Sequence, residues 1–126
     1  VTGAGLPPPD PETWRKRADW FARAAAANAG PAAPEFDERA ERLLGELEAA
    51  FCAGAWAACV MLAFAIAERA ARVRDDGDPE FNLLRERRNA LAHGGGEGLP
   101  HEDELEDHAR AAIRTALRAI AEAAWR

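Results

Sequence analysis

Residues 49–67 run for 19 positions without a charge, in a chain where 30% of side chains are charged. No other feature constrains the fold as much. An apolar run of that length must leave water, either in lipid or in a protein core. It sits at the lower edge of what spans a bilayer. Gly54 interrupts it, alanine dominates it, and neither flank is strongly hydrophobic. It therefore reads as a buried core element, and no membrane association is expected. Alanine is also the best helix former. Tyrosine is absent and β-branched residues are scarce, so the fold class is all-α.

The chain of 126 residues is long enough for one domain, and 48% apolar residues supply its core. Residues 1–10 read as a disordered leader closing in Pro7-Pro8-Pro9, without the basic and apolar regions of a signal peptide. Residues 11–126 read as a single helical domain. Asp10-Pro11-Glu12 is a helix start: the aspartate caps, the proline suits the first turn, and the acid favours the dipole. Helix 1 then runs to Asn28, with Trp14, Ala18, Phe21 and Ala25 on one face and Arg15, Arg17 and Arg23 off that line. Gly30 and Pro31 to Pro34 form a stiff connector.

Helix 2 is expected over residues 35–50, on the spacing of Phe36, Ala40, Leu43, Leu44, Leu47 and Phe51. A turn or kink falls at Cys52-Ala53-Gly54. Helix 3, residues 55–74, is apolar nearly all round in its first half, so it lies at the centre of a bundle or is half-buried by a partner chain. A loop at Asp75-Asp76-Gly77 leads to a second start signal, Asp78-Pro79-Glu80, and helix 4 over residues 79–93. After the Gly94-Gly95-Gly96 loop, helix 5 begins near His101. Acids fill its first turns and arginines its last, and its apolar face carries Leu105, Ala109, Ala112, Ile113, Ala116, Leu117, Ile120 and Ala124. The expected architecture is an up-and-down bundle of four to five helices.

The formal net charge of −6 is the wrong sign for a tight, non-specific binder of long nucleic acid, although a local basic site is compatible with it. Cys52 and Cys59 stand in the apolar run, about 10 Å apart along one helix, too far for a disulfide. They read as buried free thiols of a cytoplasmic protein. With no histidine clustered near them, they make no zinc site. His101 and His108, among acids but two turns apart, read as surface positions. The four tryptophans read as core or interface anchors.

If this chain carries chemistry, it lies in Arg85-Glu86-Arg87-Arg88-Asn89-Ala90-Leu91-Ala92-His93-Gly94, the densest positive cluster in this acidic chain; if not, the chain is a plain helical bundle. Phe81, Leu84 and Leu91 mark the buried side of helix 4, and Arg88 shares that line. Its guanidinium must snorkel out, pair, or point into a crevice or a partner chain. Asn82, Glu86, Asn89 and His93 form a second, polar stripe. Five steps along a helix put Arg88 and His93 about 140° apart around the axis and about 7.5 Å along it. For both to act on one phosphate, the helix end must loosen at Gly94 or a second copy must supply a group. A symmetric dimer with this stretch near the two-fold axis meets that demand.

Arg88-Asn89-Ala90-Leu91-Ala92-His93 resembles the Arg-x4–6-His motif of HEPN domains in its Arg-Asn-x-x-x-His form. The similarity extends over roughly residues 36–125: an apolar helix ending in Glu68-Arg69, a short loop, the motif helix, a glycine-rich turn and a final amphipathic helix. The resemblance implies a homodimeric helical bundle and, in many members, a metal-independent ribonuclease of toxin–antitoxin, defence or RNA-processing systems. It implies that Arg88 neutralises the scissile phosphate and that His93 is the general acid/base. Asn89 would orient the imidazole or touch RNA, with Arg85 and Arg87 as further phosphate contacts. Arginine offers phosphate a fixed fork of donors, and histidine titrates near neutrality. The RNA 2′-hydroxyl is the internal nucleophile, so no cofactor or metal is implied. A nucleotidyltransferase-type antitoxin is the partner such a protein would have. Other members do not cleave RNA and serve as dimerisation, nucleotide-binding or partner-binding modules. A structural bundle without a ligand is the third alternative.

Overall fold

The computed structural model describes residues 7–28, 38–70, 78–93 and 100–123. Expectations for residues 1–6, the connector at 30–34, the loops at 75–77 and 94–98, Phe36 and Trp125 lie outside them. Among the described residues the chain is all-helical, with α1 (Pro11–Asn28), α2 (Glu38–Ala53), α3 (Trp56–Ala70), α4 (Pro79–His93) and α5 (Glu102–Ala123). None of these helices is long and apolar enough to cross a membrane.

The two Asp-Pro-Glu signals act as read. Asp10 Oδ1 accepts the Thr13 N–H at 2.8 Å, and Asp78 Oδ1 accepts the Glu80 N–H at 3.0 Å. Each satisfies a donor that the first turn leaves without a helical partner. The start of α5 uses a cap that the sequence did not advertise. His101 Nδ1 accepts the Asp103 N–H at 3.3 Å, and its carbonyl takes the Leu105 N–H at 2.9 Å. Histidine is not among the usual capping residues, so His101 passed as an ordinary surface position.

The kink expected at Cys52-Ala53-Gly54 is a helix stop at Gly54. α2 continues through Ala53, three residues beyond its expected end. Gly54 then takes φ of +79°, a conformation that a side chain resists. Its N–H bonds the Phe51 carbonyl at 3.0 Å, and the Ala55 N–H bonds the Ala50 carbonyl at 2.9 Å. Together these close a Schellman motif. The Cys52 carbonyl, also left over at this helix end, accepts Arg17 Nη1 at 3.1 Å. Arg17 lies 4.8 Å over the Trp56 ring as well. It is therefore not the off-face charge that the sequence suggested, but a pin between α1 and the α2–α3 corner.

Consecutive helices pack on each other, α5 also packs on α3 and α1, and α3 lies against α2, α4 and α5. The core joins Leu47 and Phe51 of α2, Trp56, Val60, Phe64 and Ile66 of α3, Leu84 of α4, and Ile113, Leu117 and Ile120 of α5. The charge-free run thus becomes the end of α2 and the most buried helix of the bundle. It is not buried all round, since Met61 remains 39% exposed and Ala57 and Ala58 are exposed beside it. Trp56 is a core anchor and Trp20 is half-buried, whereas Trp14 stands 42% exposed and anchors no core. Cys52 and Cys59 are free and buried. Burial pushes the Cys59 thiol up to about 12, so it stays protonated and unreactive at neutral pH.

Candidate functional site on the fourth helix

Helix α4 is the least enclosed of the central elements. Leu84 is its one fully buried side chain among the described residues. Phe81, Arg88 and Leu91 are half-buried on the same side, and Glu86, Ala90 and His93 are exposed. The apolar stripe is turned to the core, whereas only Glu86 and His93 of the polar stripe are exposed and Asn82 and Asn89 are half-buried.

The inward stripe resolves where the Arg88 charge goes. Its guanidinium lies 4.2 Å over the Phe64 ring of α3. Phe64 stacks on Phe81, with centroids 5.6 Å apart and planes 2° from parallel, and Arg85 lies over the Phe81 ring at 5.1 Å. The four side chains form a ladder in the order Arg85, Phe81, Phe64, Arg88. Cation–π contact of this kind contributes about 0.5–2 kcal/mol, more as the pair is desolvated. It does not cancel the charge. Arg88 Nε is buried and finds no hydrogen-bond acceptor among the described residues.

The outward stripe is looser. His93 is the last residue of α4 and is exposed. Asn89 and His93 lie one turn apart, yet no hydrogen bond joins their side chains among the described residues, and none ties Glu86 to either. Within one protomer, Arg88 and His93 face different directions, as the helical spacing requires.

Arg87 takes a third direction, toward α5. It lines a groove of about 300 Å³ between α4 and α5, with Leu83 and Leu84 on its own helix and Ala111, Arg114, Thr115 and Arg118 across. At one end Glu80 forms an ion pair with Arg118. Toward the other, Arg87 is close enough to His108 to disfavour its protonation, adding to the larger effect of burial. The two helices are thus antiparallel here. His108 is half-buried, not the plain surface residue that its acidic neighbours suggested.

Arg114 and Arg118 complement the α5 dipole in the sequence, and the structure adds a tertiary partner to each: the Trp20 ring of α1 for Arg114 and Glu80 of α4 for Arg118. They stand one turn apart, with Arg118 turned to α4 and the Arg114 guanidinium to α1. Their four-residue spacing was the available signal, but it cannot reveal which helix lies opposite. Among the described residues, no three His, Cys, Asp or Glu side chains converge in a way that could hold a metal ion. Comparison with protein-family models, with curated proteins and with solved structures finds no match to this chain.

Proposed function

We propose that this chain is a HEPN-like helical domain that pairs with a second copy of itself and cleaves RNA without a metal. The observation that carries this reading is the state of Arg88 and His93 on α4. The arginine charge rests on a ring and on no carboxylate among the described residues, and the imidazole stands exposed at the helix end. An arginine without a counter-charge is available to a phosphate, and an accessible histidine can exchange protons with a substrate.

In this reading His93 takes the proton of the ribose 2′-hydroxyl, and the 2′ oxygen bonds to phosphorus. The bond from phosphorus to the 5′ oxygen breaks, and that oxygen takes a proton from the His93 of the second copy. Arg88 holds the non-bridging oxygens, whose negative charge grows as the new bond forms. The products are a 2′,3′-cyclic phosphate and a 5′-hydroxyl. A second copy is needed because the two side chains diverge on one helix.

The second reading is a HEPN-like module that dimerises, or holds a nucleotide or protein partner, without turnover. Arg88 favours it in one respect, since its guanidinium must leave the Phe64 ring to reach a phosphate. The two readings part in one assay: single-stranded RNA incubated with the dimer in excess EDTA, with product ends identified by mass. Cleavage to cyclic phosphate ends that falls at least about 100-fold in both His93→Ala and Arg88→Ala supports the enzyme. Cleavage that persists in both variants removes the site assignment. A folded dimer that never cleaves leaves the binding module.

A further inference from the structure

The groove between α4 and α5 lies apart from the exposed face that carries His93. We infer that it seats an acidic amphipathic helix of a partner protein, with a carboxylate on Arg87 and an apolar ridge against Leu83. This gives the partner-holding reading a surface, and it does not depend on whether RNA is cleaved. Of the consecutive helices, α4 and α5 touch least. They run antiparallel, tied at one end by Glu80 and Arg118, and leave about 300 Å³ open between them. A third helix packs into such a furrow when its own ridge is apolar.

The walls and the charge select the same partner. Leu83 is 43% exposed, one of three large apolar side chains so exposed among the described residues. It lines the groove with Leu84, Ala111 and Ala112. Arg87 stands half-buried among them. The Arg118 charge is matched by Glu80, and the Arg114 guanidinium lies over the Trp20 ring of α1. Arg87 is therefore the groove cation without a carboxylate among the described residues. Glu104 and Asp107 act on His108, and no ion pair joins either to Arg87 among the described residues. A half-buried guanidinium beside apolar side chains holds a carboxylate more strongly than one in open water. A basic helix would set its own charge against Arg87, and a wholly apolar one would cover Arg87 and leave it unpaired.

The net charge of −6 makes the test stringent, because non-specific attraction works against an acidic ligand. The full chain is titrated, by fluorescence anisotropy, against a labelled helix-forming peptide of about fifteen residues. The peptide carries leucine at helical spacing and glutamate elsewhere. Its controls are a counterpart with glutamine for glutamate and a scrambled form without the leucine stripe. We expect saturable binding of the glutamate peptide below about 100 μM, and none of the scrambled one. The glutamate peptide should bind about fivefold tighter than the glutamine peptide, as for an ion pair near the surface. Arg87→Gln should abolish that difference. Leu83→Gln should weaken both peptides about tenfold through lost apolar contact. Leu83 is exposed, so its variant should keep the parent melting temperature. Arg39→Gln, exposed on α2, should change neither affinity. His93→Ala should bind as the parent does, which separates this outcome from that of the RNA assay. Four results overturn the inference: no saturable binding of the glutamate peptide at about 1 mM, a glutamine peptide bound as tightly, weakening by Arg39→Gln equal to that by Arg87→Gln, or a Leu83→Gln variant that turns a dimer into a monomer in sedimentation. The last would assign the groove to a second copy.

Discussion

Two seams of this bundle place arginine over aromatic rings, and they treat the charge differently. Where α1, α2 and α5 meet, Trp20 and Phe51 lie 4.8 Å apart, with Arg110 over both rings at 4.7 and 5.1 Å. Arg110 is also held by Glu106, whose Oε2 accepts from Nε at 3.1 Å and from Nη2 at 2.9 Å. That guanidinium is closed on its face by rings and on its edge by a carboxylate. Where α3 and α4 meet, Phe64 and Phe81 repeat the ring pair. Arg88 lies over the Phe64 ring, but its buried Nε has no acceptor among the described residues. The same packing device gives a carboxylate-bound pin at one seam and, among the described residues, an Arg88 without a carboxylate partner at the other. A buried guanidinium without a carboxylate lowers stability and raises affinity for an anion, and for that reason the proposed function is placed at the second seam.

The largest test removes a ring from each seam. Phe51 is fully buried at the junction of Trp20, Arg110 and Trp56. Phe51→Ala should cost about 4 kcal/mol, through lost burial and the cavity left behind, read as a lower urea midpoint. At the other seam, Phe64→Leu keeps most of the volume and should cost only about 1 kcal/mol. It removes the Arg88 platform, so its effect on RNA cleavage or anion binding should exceed its effect on stability. Equal stability losses at the two seams would erase the distinction.

A smaller and sharper test trades each arginine for methionine, which keeps much of the stem. Arg110→Met strands a half-buried Glu106 carboxylate and should destabilise by about 1 kcal/mol. Arg88→Met removes a buried Nε that has no acceptor among the described residues and leaves an apolar side chain against Phe64. It should be neutral or stabilising by about 0.5 kcal/mol. Thermal melts of the two variants at one pH decide the sign. A clear loss for Arg88→Met would mean that its charge is matched within the protomer.

The all-α bundle was legible because its signals are local. Asp10 and Asp78 announce helices through residues three or fewer positions away, and apolar spacing on α2, α4 and α5 gives the buried faces. The divergence of Arg88 from His93 was legible for the same reason, since helical spacing fixes it. What spacing cannot report is the partner across a seam. Phe64 under Arg88, Cys52 beside Arg17, Glu80 with Arg118 and His108 near Arg87 are all tertiary pairings between residues far apart in sequence. Each depends on how helices dock, and a single amphipathic pattern leaves that open.

His108 offers the smallest effect, and one that extends the comparison to the groove side of α4. Its imidazole is held below the ordinary value of 6.5, first by burial and then by the Arg87 charge, while Glu104 and Asp107 pull the other way. The folded state therefore binds fewer protons here than the unfolded chain. The sign follows from linkage: this contribution to stability is fully present above 6.5 and is lost as pH falls through the folded-state value. Melting temperatures taken from about pH 7.5 down to about pH 5 should fall, and His108→Gln should remove part of that slope. Arg87→Gln should remove less, because burial is the larger cause. Asp10 does not confuse the reading: the Thr13 N–H holds its carboxyl below 3.8, so its own loss comes at more acidic pH. If Arg87→Gln leaves the slope unchanged, Arg87 does not face this imidazole, and its guanidinium lies further from α5 than the groove lining requires.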